Sequence, residues 1–399
     1  METLQLPNGF LAAGTHCGIK SDGQSLDLAL FVSERPASAA GVFTRNRICG
    51  APVVVSRERV PSGAARAVLI NSGNANACTG EQGLADARAA THTLATKLRC
   101  EDEAVLVCST GVIGHALPMD RFLPGVASLE VDLNATPAAF ERAARGMMTT
   151  DTVPKQSCRR VEGPRGAAII SGAAKGAAMI APNMATMLAV VMTDAALSPE
   201  LADTLLREAV ERTFNRISID GHTSTSDTVL LLANGASKWD VAASDRGLEA
   251  FRESLTDVCD ELARAIVRDG EGASHFITVR ATGLRTESEA LQIARVVAAS
   301  PLVKTAVAGA DPNWGRIVSA AGYAEVEFAV ERLSLAINGT QVYREGTPIP
   351  HDADELSQRM RDERDILLEL SFGEGDAGAQ MLTSDLTTEY VRLNAEYTT

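Results

Sequence analysis

The chain has 399 residues, 45% hydrophobic and 22% charged, so it can bury a core, and its length suggests about two domains. Lys and Arg number 37 against 51 Asp and Glu, a formal net charge of −14, and aromatic residues make up 4%. That balance argues against a nucleic-acid or anionic-membrane surface and leaves few platforms for base stacking.

In chain order, METLQLPNGF carries no basic patch leading into an apolar run, so no signal peptide is read. Apolar strand-like runs are expected at Val53–Ser56, Ala67–Asn71 and Ala104–Cys108, and helical spacing at Gly83–Leu98 and Pro137–Met148. Strands are expected again at Ala167–Ser171 and Met187–Met192. Ser198-Pro199-Glu200 then reads as a helix start: a capping hydroxyl, proline in the first turn and an acidic residue beside it. Beyond it come a strand at Thr228–Ala233, a helix at Leu248–Val267, a strand at Phe276–Val279 and a helix at Glu287–Ala299. Ile366–Phe372 and Tyr390–Asn394 read as strands. Strands and helices mix without strict alternation, which predicts an α+β fold. A domain boundary is expected near Thr282-Gly283, giving domains 1–283 and 284–399.

Seven cysteines without a CxxC predict reduced, buried thiols and a cytoplasmic location. The six histidines show no metal-ligand spacing, so no metal is expected. Gly373-Glu-Gly-Asp-Ala-Gly378 matches a dinucleotide-binding glycine pattern, but too little chain follows for the helix and second strand it needs. His222, with Ser224 and Asp227 near it, contains the types of a Ser/His/Asp site without the geometry that defines one. The uncharged stretch Gly176–Thr193 approaches the length of a membrane span, yet Pro182-Asn183 breaks it, and a turn into a buried strand fits better.

That same stretch, from Lys175 through Ala185-Thr186 to Leu188, resembles the cleavage and nucleophile region of the ornithine acetyltransferases. These are the glutamate N-acetyltransferases of arginine biosynthesis. The likeness extends over nearly the whole chain. It includes Asn71–Gly80, Ser109-Thr110-Gly111, Met148–Lys155, Arg268–Ala273, Gly309–Arg316 and Tyr390–Thr399.

The resemblance implies a two-sheet sandwich flanked by helices (αββα, N-terminal-nucleophile-like) with a smaller C-terminal α/β domain. It implies self-cleavage between Ala185 and Thr186, giving chains 1–185 and 186–399, with Thr186 as nucleophile. It implies transfer of the acetyl group from N2-acetyl-L-ornithine to L-glutamate by ping-pong catalysis through acetyl-Thr186. Thr110 and Gly111 would form the oxyanion hole, and Thr152, Lys175, Thr186, Glu271, Asn394 and Thr399 would bind substrate. No cofactor is expected; acetyl-CoA is a donor for some members of that family, and both kinds remain open here. The implied assembly is a heterotetramer of two chains of each kind. The chemistry suits these residue types. The α-amine of an N-terminal threonine, with a reference pKa of about 7.7–8.0, can serve as base for its own hydroxyl.

The chain departs from the family pattern at Ala177 and Ala178, where Ser and Gly are usual, and at His222, Ser226 and Leu382. The two alanines put cleavage in question. Two competing readings follow. One is an amidase or aminopeptidase with an N-terminal nucleophile, although the related aminopeptidases use serine. The other is an uncleaved amino-acid-binding protein.

Overall fold

Helix ends follow the side chains that cap them. Ser198 accepts a hydrogen bond from the Leu201 N–H (3.2 Å), Thr136 from Ala139 (3.3 Å) and Thr286 from Glu289 (3.2 Å), each satisfying a donor the helix itself leaves open. The structure is a computed structural model that describes residues 3–163, 166–181 and 187–396. The chain runs β1 (Phe10–Thr15), β2 (Leu28–Phe43), α1 (Ala51–Glu58), β3 (Ser62–Asn74), α2 (Gly80–Leu98), β4 (Val105–Val112), α3 (Met119–Ser128), α4 (Pro137–Met147), β5 (Lys155–Gly163), β6 (Gly166–Lys175), β7 (Leu188–Thr193) and α5 (Pro199–Arg212). It continues β8 (Ile217–Ser218), β9 (Thr228–Ala233), α6 (Asp245–Arg268), β10 (Phe276–Leu284), α7 (Glu287–Ala299), α8 (Pro301–Ala308) and α9 (Trp314–Gly322). The last elements are β11 (Ser334–Ile337), β12 (Thr340–Arg344), β13 (Thr347–Pro348), α10 (Ala353–Asp362), β14 (Asp365–Ser371), β15 (Ala377–Ser384) and α11 (Thr388–Glu396).

Two compact units result. Among the described residues, the first runs to 215 and resumes over 222–266, and the second comprises 216–221 and 267–396. The first unit holds a mixed sheet in the order β4-β3-β2-β9-β7-β6-β5, with β1 paired to β2. Its middle strands β7 and β9 are fully buried, which is why their sequences are continuously apolar. Helix α4 lies on β1 and β2, and Phe140 meets Phe31 edge-on with ring centroids 6.3 Å apart. The second unit holds a sheet in the order β13-β12-β11-β14-β10-β15-β8. There α7 packs on β10 and β15, burying Ile293, Ala294 and Val297 against Ile277, Val279 and Met381. The α+β class with mixed, helix-flanked sheets is as expected; in the first unit, where the resemblance implied a sandwich, one sheet buries Phe31, Val68 and Leu106 with Ala173, Val190 and Leu230 in a common core.

The expected boundary after residue 283 is not where the units divide. It falls at the end of β10, and β10 is an inner strand of the second sheet, paired to β14 on one side and β15 on the other. Division comes at 266/267, within the last turn of α6.

Two expected strands are helices. Val53–Ser56 lies in α1, where Pro52 opens the helix and Ser56 docks on β4: its Oγ donates to the Val107 carbonyl (2.6 Å) and accepts from the Val107 N–H (2.8 Å). Tertiary contact outweighs the β preference of three valines. Tyr390–Asn394 lies in α11, whose start is marked by the Thr387 hydroxyl accepting from the Tyr390 N–H (3.2 Å). Arg392, bonded to Glu389 and Glu396, supports it along one face.

Gly373–Gly378 joins β14 to β15, two strands, so the helix that a dinucleotide site requires is absent there. Residues 188–193 of the uncharged stretch form β7, inside the sheet between β6 and β9. Among the described residues no single helix is long and apolar enough to cross a membrane.

Candidate active site

The parallel strands β3 and β4 end side by side, Ser72 opposite Thr110 and Gly73 opposite Gly111, with an irregularity at Asn74. Gly111 has φ +130°, and a Cβ there would lie 2.3 Å from the Gly73 carbonyl carbon and 2.5 Å from the Asn74 nitrogen. Only glycine fits. The Asn71–Gly80 segment holds this strand end in place through its side chains. Ser109 Oγ donates to Asn71 Oδ1 (2.5 Å), Asn71 Nδ2 to the Asn74 carbonyl (2.8 Å), and Asn74 Nδ2 to the carbonyls of His115 (3.2 Å) and Ala116 (3.1 Å). Asn76 accepts from Thr79 Oγ1 and donates to the Gly83 carbonyl, tying the loop to α2. The motif is a brace for the turn that carries Thr110 and Gly111.

Thr110 is buried, and Lys175, the last residue of β6, donates from Nζ to its Oγ1 at 3.3 Å. A lysine is donor-only. Its hydrogen bond therefore occupies an oxygen lone pair and leaves the Thr110 hydrogen available to donate elsewhere, as an oxyanion-hole hydroxyl must.

Behind Lys175 lies a buried charge cluster. The segment after α4 delivers Asp151, whose Oδ1 accepts from Lys155 Nζ (2.6 Å) and the Gly176 N–H (2.7 Å), and whose Oδ2 accepts from the Thr149 N–H (3.0 Å). Both side chains of the Asp151–Lys155 pair are fully buried. Burial alone would raise the Asp151 carboxyl; the Lys175 and Lys155 ammonium groups and the Gly176 N–H outweigh it and bring it down to about 2.

Asp227, just before β9, behaves oppositely. It is fully buried, and burial pushes it well above the usual carboxylate range, although Lys175 and hydrogen bonds, including the Met187 N–H (3.0 Å), pull the other way. Lys155 and Lys175 set two ammonium groups against the one carboxylate of Asp151, and burial opposes ionisation of Asp227. That excess suits an anionic group, a substrate carboxylate or a developing oxyanion.

In the second unit, Glu271 and Asn394 meet. Asn394 Nδ2 donates to Glu271 Oε2 (2.9 Å). The turn carrying Glu271 fits against α11 because residue 272 is glycine: with φ +64°, a Cβ would lie 2.5 Å from the Tyr390 nitrogen. Thr387 Oγ1 donates to the Gly272 carbonyl (2.6 Å), and Tyr390 Oη reaches Asp220 (3.2 Å).

The structure thus brings Thr110 and Gly111 together with Lys175, and Glu271 with Asn394. Thr152 is exposed, one residue beyond Asp151. Ala185, Thr186 and Thr399 lie outside the described residues. A Ser/His/Asp arrangement around His222 is not formed: Asp227 Oδ1 is engaged by Met187, and its Oδ2 has no partner among the described residues.

The departures Ala177 and Ala178 are accommodated. Ala177 is buried, and the positive φ angles of this turn belong to Gly176 (+151°) and Met179 (+58°), not to Ala178. The sequence offered Asp151 and Lys155 within a motif without a role, and Asp227 only as a member of the Ser/His/Asp set around His222. A buried partner shows only when strands distant in sequence are assembled.

A braced turn that offers a hydroxyl and a glycine N–H beside a buried lysine has the group types that acyl transfer calls on. The family model for the ArgJ family matches residues 11–399. The "Arginine biosynthesis bifunctional protein ArgJ" of Rhodopirellula baltica is 46% identical over 397 residues, 99% of this chain and 96% of that protein. The protein of the same name from Geobacter sulfurreducens is 42% identical over 392 residues, 98% of this chain and 99% of that one. The crystal structure of the Bacillus halodurans arginine biosynthesis bifunctional protein argJ superposes with a TM-score of 0.50 at 34% identity, covering 51% of this chain and 96% of that one. The chain belongs to the ArgJ family, and it is an acyltransferase of arginine biosynthesis.

Proposed function

We propose that the chain cuts itself between Ala185 and Thr186 and that Thr186 then carries acetyl from N2-acetyl-L-ornithine to L-glutamate. The observation that carries this reading is the Lys175–Thr110 hydrogen bond beside Gly111, an oxyanion hole whose hydroxyl is pre-oriented to donate. The α-amine of Thr186 takes the proton of its own hydroxyl as Oγ attacks the acetyl carbonyl. The tetrahedral oxyanion receives hydrogen bonds from the Thr110 hydroxyl and the Gly111 N–H. Collapse breaks the amide bond and returns the proton to the departing ornithine nitrogen. Glutamate's amine then attacks the acetyl-Thr186 ester through the same oxyanion hole. The cut itself, a hydroxyl attack on the Ala185 carbonyl followed by water, needs the same stabilisation.

Lys175, with the excess positive charge around it, suits a substrate carboxylate. Glu271, held by Asn394, suits an ammonium group. Thr152 and Thr399 complete the proposed substrate contacts. No metal or bound cofactor takes part. The bifunctional name of the relatives favours a second donor, acetyl-CoA, entering the same acetyl-Thr186 intermediate. We also propose a heterotetramer of two 1–185 and two 186–399 chains in the cytoplasm, a compartment that suits seven free cysteines.

Intact mass with N-terminal sequencing tests the cut: two pieces are expected, one beginning at Thr186. Acetylornithine and acetyl-CoA are then compared as donors with glutamate as acceptor. A single 42.0 kDa chain without transfer would sink the reading in favour of a binding protein. Acetylornithine hydrolysis at a rate indifferent to glutamate would point to an amidase.

A further inference from the structure

Lys20 has no place in the steps above, yet its side chain lies against the turn on which they depend. It sits in the loop between β1 and β2. A Cβ at Gly73, whose φ is +99°, would lie 3.0 Å from Lys20 Cγ and 3.1 Å from Ile19 Cγ2, so the stem of Lys20 crosses the end of β3. Gly73 is the residue paired with Gly111 on β4. At the tip of the side chain, Nζ donates to the carbonyls of Leu26 (2.7 Å) and Met148 (2.7 Å). Met148 opens the segment that delivers Asp151 and Thr152. The lysine therefore joins the turn of the proposed oxyanion hole to a segment that carries a proposed substrate contact.

Two features of this ammonium group point to an anionic ligand. It has three hydrogens, of which two go to carbonyls; the third meets no acceptor among the described residues. Nor does any carboxylate among the described residues form an ion pair with it. Asp27, close by, is already occupied: its carboxylate takes the backbone N–H groups of Cys17 (2.7 Å), Gly18 (3.0 Å), Ile19 (2.7 Å) and Lys20 itself (3.2 Å). Burial lowers the Lys20 pKa, and Lys175 acts in the same sense; Asp27, Asp22 and Asp151 oppose them. A partly desolvated ammonium with a hydrogen to give and no carboxylate in contact suits an incoming anion.

The two proposed substrates differ in what they ask of such a group. N2-acetyl-L-ornithine has one carboxylate and a side-chain ammonium. L-glutamate has two carboxylates. Lys175 serves one carboxylate of either, and Glu271 serves an ammonium group. The second carboxylate of glutamate has no counterpart among the residues given roles above. Resting on the proposed acetyl transfer, we infer that Lys20 determines specificity for the acceptor: its third N–H takes the side-chain carboxylate of glutamate, and acetylornithine leaves it unengaged. Lys20 binds and orients; no bond is made or broken there.

In a ping-pong scheme kcat/KM for each substrate reports its own half-reaction, which separates this role from a bracing one. Lys20→Gln removes the charge. Its kcat/KM for glutamate is expected to fall about 10–100-fold, the scale of one charge-assisted hydrogen bond, while kcat/KM for acetylornithine stays within threefold. The preference for glutamate over glutamine, its uncharged isostere, should fall by a similar factor, and Lys20→Arg should retain that preference. Equal loss for both substrates overturns the inference, because Lys20 would then only hold Gly73 and Met148 in place. So does an unmoved glutamate-to-glutamine ratio. If Lys20→Gln does not fold, Lys20→Met, whose unbranched side chain still covers Gly73, is read by the same two ratios. Wild type gives a check that needs no variant: it should use glutamate at least tenfold better than glutamine, and a difference under threefold overturns the inference. A wild-type chain that transfers acetyl to no amino acid is a separate result: it removes the proposed function and this inference with it.

Discussion

Replacing Asp151 by alanine should destabilise the first unit more than any single surface change, and the structure sets the scale. Asp151→Ala removes the acceptor of three groups at once: Lys155 Nζ, the Gly176 N–H and the Thr149 N–H. The Lys155 side chain is 0% exposed, so its ammonium is left buried without its carboxylate. Breaking a buried pair from one side costs about 3–5 kcal/mol. Urea unfolding followed by circular dichroism reads this as a fall in midpoint at constant slope. The Asp151→Ala/Lys155→Met double variant removes the stranded charge and should recover about 2 kcal/mol or more relative to Asp151→Ala. If Asp151→Ala loses under 1 kcal/mol, or if the Lys155→Met change adds a further loss, the cluster is not holding the strand ends as argued. The wild-type pH dependence is a second check. The Asp151 carboxyl is depressed from 3.8 to about 2. It thus contributes roughly 2 kcal/mol that is present above the unfolded value and lost as pH falls through the folded one.

Gly111→Ala must displace the Gly73–Asn74 backbone, and misplacing the proposed oxyanion donor should lower the transfer rate about 10²–10³-fold in a steady-state assay; a rate within threefold of wild type would contradict the proposed donor. Thr110→Val keeps the shape but removes the hydroxyl, so cleavage and transfer should both slow by a similar factor, measured by mass spectrometry and by ornithine release. His275 places Nδ1 2.8 Å from Asp385 Oδ2 and Nε2 2.9 Å from the Met360 carbonyl, so both nitrogens face acceptors. The Asp385 hydrogen bond, against the opposing effect of burial, raises its pKa above 6.5. Its contribution is therefore full below that value and lost as pH rises through the folded pKa. Urea midpoints of wild type should fall over that window more than those of His275→Gln, and parallel curves would refute the charged assignment.

Much of this was legible in the chain itself. Residues adjacent in sequence wrote the helix starts at Ser198 and Thr286, because a capping side chain and the N–H it satisfies lie three residues apart. The strand at Thr228–Ala233 was legible because full burial calls for a near-continuous apolar run. Motif blocks in order carried the resemblance that located Thr110, Gly111, Lys175, Glu271 and Asn394. Other features depend on what a segment packs against. Three valines read as strand until Ser56 is seen to dock on Val107. The boundary after residue 283 was plausible until β10 proved to be an inner strand. Lys175 and Thr110, 65 positions apart, meet although four strands separate β4 from β6 in the sheet order; the two strands share one buried core through Cys108 and Ala173. The opposite pKa directions of Asp151 and Asp227 are likewise tertiary facts. Both are buried aspartates, but ammonium and N–H donors outweigh burial at Asp151, whereas burial prevails at Asp227. Sequence alone thus determined which residue types were available and where the local elements start. Burial and long-range pairing, which set desolvation and charge, decided what each of those residues can do.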